Sequence, residues 1–208
     1  MGRVRLVLTA DTHGTHDRLN VPDGDIFVHA GDVTLLGGLE ELGPFNDFLR
    51  RLPHAHKVVI AGNHDWCFQK QPAQARRLLT AARYLQDEAA RIAGLDFYGS
   101  PWQPWFYDWA FNLQRGRALA DKWALIPPGT DVLVTHGPPR GIGDGTWDGR
   151  REGCDDLLRR VMEVRPRVHL FGHIHEAAGL WEREGVTFVN ASSNEGERVP
   201  FVIDLEAR

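Results

Sequence analysis

Residues 167–176 read RVHLFGHIHE, a short apolar run that leads into two histidines separated by one residue. Such a run, bounded by a charged residue and a glycine, is typical of a β-strand. Alternate residues of an extended segment point to the same side, so His173 and His175 are predicted to project together. Neighbouring imidazoles repel when both are charged and need polar partners when both are buried. The stretch therefore predicts a strand that delivers two histidines to a shared partner.

Seven further runs of the chain have the same β-rich apolar character and are bounded by turn-forming residues. They span residues 4–10, 25–30, 57–61, 95–100, 131–136, 186–191 and 200–205. Apolar residues at helical spacing occur at residues 39–52, 72–85 and 154–164. This order of strands and helices predicts a layered α/β domain that occupies residues 1–208. Residues 99–112, rich in Trp and Phe, are predicted to form a long structured loop.

The composition is that of an ordinary globular domain, with 42% hydrophobic and 25% charged residues among 208. A net charge of -4 and a pI near 6.2 argue against a protein built around duplex nucleic acid. A small anionic substrate remains compatible with this charge, because a local site can be positive in a negative molecule. The composition does not indicate an oligomeric state.

The cysteine count and the beginning of the chain bear on the compartment. Cys67 and Cys154 are the only cysteines, which is too few for a disulfide framework and typical of a reducing environment. The first residues lack a signal-peptide pattern, and Leu6 does not fit the N-myristoylation motif. No apolar stretch reaches the length of a membrane span. A cytoplasmic location without membrane attachment is therefore expected.

Polar residues of three kinds, Asp, Asn and His, follow five of the predicted strands. They are Asp11 and His13, then Asp32, then Asn63, His64 and Asp65, then His136, and finally His173 and His175. Glycines flank each group, and the carboxyl ends of strands are where α/β folds bind ligands. A single such residue would be interpreted as a turn former, as His29, His54, His56 and His169 are interpreted as core or surface residues. Five groups in the same position indicate one shared site.

The number of ligating side chains indicates two metal ions. A single tetrahedral ion uses three or four ligands, and the groups offer seven: Asp11, His13, Asp32, Asn63, His136, His173 and His175. If Asp32 bridges, each of two ions receives four protein ligands. Mixed nitrogen and oxygen ligands suit Mn, Fe, Zn, Ni or Co, with Mn favoured. Two dications and two carboxylates leave a net positive charge that attracts a phosphate group.

The ordered motifs D-x-H, G-D, G-N-H-D, T-H-G and G-H-x-H, from Asp11 to His175, resemble the calcineurin-like metallophosphoesterase superfamily. Longer segments, such as LPHAHKVVIAGNHD (52–65) and THGPPRGIGD (135–144), are similar to a branch of small metallophosphoesterase-domain-containing proteins. That branch has vertebrate brain-expressed members and bacterial relatives. The resemblance implies a four-layer α-β-β-α sandwich with two metal ions at the carboxyl ends of its strands. It also implies phosphodiesterase activity, including activity on some cyclic nucleotides.

The resemblance assigns a role to each residue of the motifs. Metal 1 would bind Asp11, His13, Asp32 and His175, metal 2 would bind Asp32, Asn63, His136 and His173, and His64 would be the catalytic histidine. The protein serine/threonine phosphatases of the superfamily carry an Asp-Arg pair where Leu35 and Leu36 stand here. Protein phosphatase activity is therefore not expected. Asp65 or another carboxylate would orient His64, or Asp65 is a loop cap.

The leading functional hypothesis is hydrolysis of phosphodiesters of small nucleotide-like substrates by a metal-bridging hydroxide, with His64 as general acid. Arg140 either binds the substrate phosphate or is a solvated loop residue. Residues 102–111 either stack on a nucleobase or belong to the core. His16 and Asn190 are expected near the mouth of the site. The alternatives are a phosphomonoesterase or pyrophosphohydrolase of a small metabolite, and a regulatory module that binds metal or nucleotide without turnover.

Overall fold

The computed structural model describes residues 2–208, which contain thirteen strands and five α-helices. The strands are β1 (Arg3–Thr9), β2 (Ile26–Ala30), β3 (His56–Ile60), β4 (Arg83–Tyr84), β5 (Glu88–Ile92), β6 (Leu95–Ser100), β7 (Gln103–Pro104), β8 (Asn112–Leu113), β9 (Val132–Thr135), β10 (Val168–Phe171), β11 (Gly179–Arg183), β12 (Val186–Asn190) and β13 (Phe201–Glu206). The helices are α1 (Leu42–Arg51), α2 (Trp66–Lys70), α3 (Pro72–Leu78), α4 (Arg117–Trp123) and α5 (Asp155–Val164). Short 3₁₀ segments occur at His16–Arg18, Leu39–Glu41 and His175–Ala177.

Two sheets contain eleven of these strands, and β7 and β8 pair with each other in a separate two-stranded sheet. The first has the order β13-β1-β2-β3-β4, with parallel pairs from β1 to β4 and an antiparallel edge at β13. The second has the order β11-β12-β10-β9-β6-β5, with a parallel centre and an antiparallel strand at each edge. The parallel strands of each sheet therefore end side by side at one edge.

Three apolar clusters show that the molecule has four layers. The first cluster lies between the sheets and includes Leu6 and Leu8 of one sheet and Val134 of the other. Because neighbouring residues of a strand face opposite ways, Val7 points away and packs with Phe45 against the first sheet. The other two clusters join α1–α3 to the first sheet and α4 and α5 to the second. The arrangement is the α-β-β-α sandwich that the sequence resemblance implied.

All eight predicted strands are present, and the helices predicted at 39–52 and 154–164 are found as a 3₁₀ turn followed by α1 and as α5. The helix predicted over 72–85 is wrong in its second half: α3 ends at Leu78, and Arg83 and Tyr84 form β4 against β3. Tyr84 stacks on Phe68, with ring centroids 4.3 Å apart. Tertiary packing and strand pairing thus override the helical spacing of this segment. No helix among residues 2–208 combines the length and apolarity needed to cross a membrane.

Candidate metal centre

The polar groups after β1, β2, β3, β9 and β10 meet at one edge of the sandwich. The sheets are joined there by backbone, because Ala10 N donates to Ala191 O (2.9 Å) and Ser193 N to Ala10 O (2.9 Å). Three hydrogen bonds that involve side chains also cross this edge: His136 Nδ1–H donates to Ala30 O (3.0 Å), and His173 N donates to both carboxylate oxygens of Asp11. Residues from both sheets therefore share one site.

Three of the predicted ligands form a first group on this edge. Asp11, His13 and His175 each offer a ligand atom, and these atoms lie within 4.8 Å of one another. His13 Nε2 and His175 Nε2 are 3.3 Å apart, and His175 Nε2 is 4.0 Å from Asp11 Oδ2. Two ligand atoms on a tetrahedral ion lie about 3.3 Å apart when each bond is about 2.0 Å long. The spacing fits a divalent cation.

A second group lies beside the first. Asp32, His136 and His173 offer ligand atoms within 4.8 Å of one another, and Asn63 Oδ1 is 2.8 Å from His136 Nε2. The Nδ1–H of His136 is engaged by Ala30 O, so its Nε2 lone pair faces the oxygens of Asp32 and Asn63. A lone pair among oxygens is favourable only with a proton or a cation between them. The donor set of the second group therefore also fits a metal ion.

Asp32 stands between the two groups. Its Oδ2 is 3.7 Å from His13 Nε2 in the first group and 3.4 Å from His136 Nε2 in the second. Its Oδ1 instead accepts a hydrogen bond from His64 N (2.8 Å). One carboxylate oxygen thus faces both groups, which is the arrangement that a bridging ligand requires. The identity of Asp32 as a bridge remains a prediction that metal binding must test.

The backbone at several of these residues adopts the left-handed region. The φ angles are 55° at Asp11, 44° at His13, 57° at Asp32 and 71° at His173. Non-glycine residues rarely adopt such angles, which cost on the order of 1–3 kcal/mol each. Four of the seven predicted ligands share this conformation, which indicates that the surrounding structure holds them in place for a function.

The local charges set the protonation of the ligands. Burial lowers the pKa of His13, and burial likewise lowers the pKa of His173 to about 3. Burial would also lower the pKa of His136, but the charge and hydrogen bond of Asp32 raise it to about 9. Burial raises the pKa of Asp32 less than the neighbouring histidines lower it, so it stays below its ordinary value. Burial thus keeps His13 and His173 neutral, whereas His136 holds a proton that faces the ionised Asp32 where a cation would bind.

His64 lies at the border of this cluster, and one of its ring nitrogens approaches ligand atoms of His13 and Asp32. Its Nδ1–H donates to the backbone carbonyl of Leu35 (2.7 Å). Its ring stacks on Trp109, with ring centroids 4.2 Å apart and planes at 28° to each other. It also makes an edge-to-face contact with His13, with ring centroids 4.4 Å apart. The Leu35 carbonyl, the Trp109 ring and the candidate ligand His13 thus fix the orientation of the His64 imidazole.

Asp65 is a loop cap. It is fully buried, and its carboxylate accepts hydrogen bonds from Gly62 N (2.8 Å), Val33 N (3.2 Å), Thr34 N (2.9 Å) and Thr34 Oγ1 (2.7 Å). Burial, followed by the charge of Asp32, raises the pKa of Asp65 to about 6. Of the two roles left open by the sequence, the structure supports the cap.

The remaining expected site residues take different positions. Arg140 donates from Nη1 to the backbone carbonyl of Arg151 (2.7 Å), and its role toward a phosphate remains a prediction. His16 and Asn190, which were expected near the mouth of the site, are both buried, and an approach of either to a substrate remains a prediction. His16 packs against Phe45, and the amide of Asn190 donates to the carbonyls of Gly143 and Ile174.

Segment 102–111 was interpreted either as a surface that stacks on a nucleobase or as part of the core, and its residues differ in burial. Phe111 is buried and Trp102 packs against it, whereas Trp105, Phe106 and Tyr107 are exposed. The ring of Phe106 lies edge-on to His173, with centroids 5.5 Å apart. Part of the segment is therefore core, and part borders the second ligand group.

Two contacts near the site were not indicated by any motif. His29 shares a hydrogen bond with Thr12 (3.0 Å), which lies between two ligands in the chain, and His169 shares one with Thr135 (2.9 Å), which precedes His136. Their sequence signal was a lone histidine inside a strand, which is also the signal of an ordinary core histidine. These buried histidines anchor two of the loops that carry ligands.

Comparisons with known proteins agree with this geometry. The profile described as calcineurin-like phosphoesterase matches residues 4–177, so the chain belongs to that family, whose members are dinuclear and metal-dependent. This membership assigns the chain to the metal-dependent phosphoester hydrolases.

Its relatives include metallophosphoesterase domain-containing protein 1 of Homo sapiens, which is 43% identical over 235 residues, 98% of this chain and 72% of that protein. UPF0046 protein T07D4.2 of Caenorhabditis elegans is 40% identical over 218 residues, 90% of this chain and 55% of that protein. The solved structure of TT1561 of Thermus thermophilus has a TM-score of 0.63 at 14% identity, with 100% of both chains covered, and shows the fold alone.

Proposed function

We propose that this chain hydrolyses phosphodiesters of small nucleotide-like substrates, cyclic nucleotides among them. The observation that carries the proposal is the position of Asp32, with Oδ2 facing both ligand groups and Oδ1 attached to the backbone of His64. This carboxylate places a proton donor beside the point where two cations would meet a phosphoryl group.

Two sets of residues would hold the cations. Asp11, His13, Asp32 and His175 would hold one ion, and Asp32, Asn63, His136 and His173 would hold the other. When bound, such a pair of cations neutralises phosphoryl charge and activates water as a nucleophile.

The chain itself supplies the leaving-group proton. The Nδ1–H of His64 is engaged by Leu35 O, so Nε2 is the nitrogen that exchanges a proton with the substrate. Water releases one proton to solvent as its oxygen bonds to phosphorus, the ester P–O bond breaks, and the Nε2 proton passes to the departing alkoxide oxygen. The products are a phosphate monoester and an alcohol, and His64 regains its proton from solvent.

The surroundings of the cluster favour a diester over a monoester. Phe106 adjoins His173, Trp109 covers one face of His64, and the half-exposed Leu35 bonds to His64 through its carbonyl. A diester carries one negative charge, whereas a monoester carries a second charge that an apolar wall would leave unpaired. The exposed Phe106 and Tyr107 also offer flat faces on which a nucleobase can stack.

The test compares bis-p-nitrophenyl phosphate with p-nitrophenyl phosphate in the presence of Mn²⁺, followed by 2′,3′- and 3′,5′-cyclic nucleotides. A higher kcat/KM for the diester and turnover of a cyclic nucleotide support the proposal. A preference for the monoester would replace it with a phosphomonoesterase. Nucleotide binding without turnover of any ester would instead indicate a regulatory module.

A further inference from the structure

The orientation of His64 depends on Leu35, which with Leu36 lies outside the core although the preceding Val33 is buried in it. Leu35, whose carbonyl accepts the Nδ1–H of His64, is 49% exposed, and Leu36 is 80% exposed. Two leucines in solvent gain little from packing, so hydrophobic burial does not hold this backbone in place. Some other interaction must fix the carbonyl on which the imidazole depends.

That interaction comes from Glu41. Its carboxylate accepts hydrogen bonds from Leu35 N (2.6 Å), Leu36 N (3.1 Å and 3.3 Å) and Gly38 N (2.9 Å). The bond to Gly38 is a helix-capping contact for the 3₁₀ segment Leu39–Glu41. The bonds to Leu35 and Leu36 reach beyond the cap, and charge-assisted bonds of this kind are the stronger ones.

The other end of the same segment is tied down separately. Asp65 accepts hydrogen bonds from the backbone of Val33 and Thr34 and from Thr34 Oγ1, which also lies 3.3 Å from His64 O. Gly37, with φ +83°, lies so close that an added Cβ would be 2.5 Å from His64 O. Segment 33–38 is thus hydrogen-bonded to Asp65 at its beginning and to Glu41 at its end, and it packs closely against the backbone of His64.

We infer that Glu41 is a positioning residue for His64, acting through the Leu35 peptide unit. This inference rests on the proposed function, since it assigns Glu41 to the proton donor of the hydrolysis. The carboxylate sets the backbone, the Leu35 carbonyl holds Nδ1–H, and Nε2 is thereby directed toward the leaving group. The carboxylate of Glu41 thus orients His64 without touching it, because the contact with the imidazole is made by the carbonyl of Leu35.

The experiment compares Glu41→Ala and Glu41→Gln with Glu40→Gln, which removes a neighbouring exposed charge. Rates are measured with aryl and alkyl phosphodiesters whose leaving groups span a range of acidity. Glu41→Ala is expected to lower kcat about tenfold for alkoxide leaving groups and little for p-nitrophenolate, with metal content and KM retained. Glu41→Gln, which keeps one acceptor oxygen, should lose less, and Glu40→Gln should match the wild type.

A double variant separates positioning from a general structural role. In the His64→Gln background, Glu41→Ala should cost no further rate, because the group that it positions is already gone. A loss of the same size in both backgrounds, an equal loss for every leaving group, or a loss of bound metal would overturn the inference.

A measurement independent of turnover distinguishes this inference from the proposed function. At a pH at which His64 carries a single ring proton, nitrogen NMR of the Zn²⁺-loaded protein should show that proton on Nδ1 in the wild type and in Glu40→Gln. Glu41→Ala and, more weakly, Glu41→Gln should shift His64 toward a mixture of tautomers. An unchanged tautomer in both Glu41 variants would overturn the inference even if the wild type hydrolyses diesters. A shifted tautomer in a protein that hydrolyses no phosphoester would support the inference on positioning and overturn the proposed function.

Discussion

His64 and Asp65 are neighbours in the sequence, yet their side chains serve different parts of the molecule. Asp65 faces inward and accepts four hydrogen bonds from the loops that follow β2 and β3. His64 faces the ligand groups and is held by Leu35 O and Trp109. Of two consecutive residues after a strand, one can therefore stabilise the loops while the other faces the candidate site.

Replacement of His64 tests the proposed proton transfer. His64→Gln should keep two metal ions and lower kcat on the order of a hundredfold or more for alkoxide leaving groups. The loss should shrink for p-nitrophenolate, which departs without a proton. Rates of both proteins across a leaving-group series, together with elemental analysis, provide the measurement. Equal losses across the series would mean that His64 stabilises charge instead, and lost metal would make it a ligand.

Replacement of Asp32 tests the bridge. Asp32→Asn should weaken both cation sites, because one oxygen of this carboxylate faces a histidine of each group. His175→Ala should weaken mainly the first site. Metal content per chain, measured by mass spectrometry after saturation with Mn²⁺ and gel filtration, separates the two patterns. Asp47→Asn, at an exposed position on α1, is the control, and an Asp32→Asn protein with two tight ions would refute the assignment.

At the scale of single residues, the sequence was informative where a side chain makes the contact. The seven candidate ligands and His64 were predictable because Asp, Asn and His recur after strands, and the structure brings all eight together. The support of His64 was not predictable, since Leu35 contributes only a carbonyl, which any residue possesses. The contacts of Glu41 were not predictable either, because its partners are backbone amides, which almost every residue possesses.

At the scale of elements, apolar β-rich runs predicted eight of the thirteen strands and missed the edge strands β4, β5 and β11 and the short pair β7 and β8. Residues 88–92, with the sequence EAARI, contain two alanines and two charges, and residues 179–183 are largely exposed. Edge strands bury little, so their sequences carry a weak apolar signal. The place of β5 and β11 is set by pairing with β6 and β12, which single-sequence patterns do not report.

The glycines at strand ends give a prediction about these elements. A Cβ at Gly172 would lie 2.5 Å from Ala10 Cβ and 2.5 Å from Asp11 Oδ2. Gly172→Ala should therefore displace the Asp11 loop, weaken metal binding at the first site and destabilise the fold by about 1–3 kcal/mol. Urea unfolding and metal titration measure these effects.

The matched control for that substitution is Gly2→Ala. Gly2 is exposed and precedes β1, at the other end of that strand from Asp11, and an added Cβ there meets nothing within 4 Å. Alanine at such a position should change the stability by less than about 0.5 kcal/mol and leave metal binding unchanged. If both variants showed the same stability and the same metal affinity, the close packing of Gly172 against Asp11 would not determine the position of the Asp11 loop.

At the scale of the whole molecule, the site lies where two sheets meet. The candidate ligands come from β1, β2 and β3 of one sheet and from β9 and β10 of the other. The direct links across this edge are a few backbone bonds and the contacts of His136 and His173. Cations held by ligands of both sheets would add bonds across the same boundary, so metal binding should be coupled to the stability of the entire sandwich.

Removal of metal measures that coupling. A ligand that binds only the folded state at about 100 times its Kd stabilises it by about 2.7 kcal/mol. For a chain of this size, that corresponds to a rise in Tm of about 5–10 °C per saturated site. Chelation with EDTA should lower Tm by this amount, and added Mn²⁺ should restore it in the wild type and much less in Asp32→Asn. A Tm that is unchanged by chelation, in protein shown to lose its metal, would mean that the ions bind the folded chain no more tightly than the unfolded chain, which would overturn the coupling.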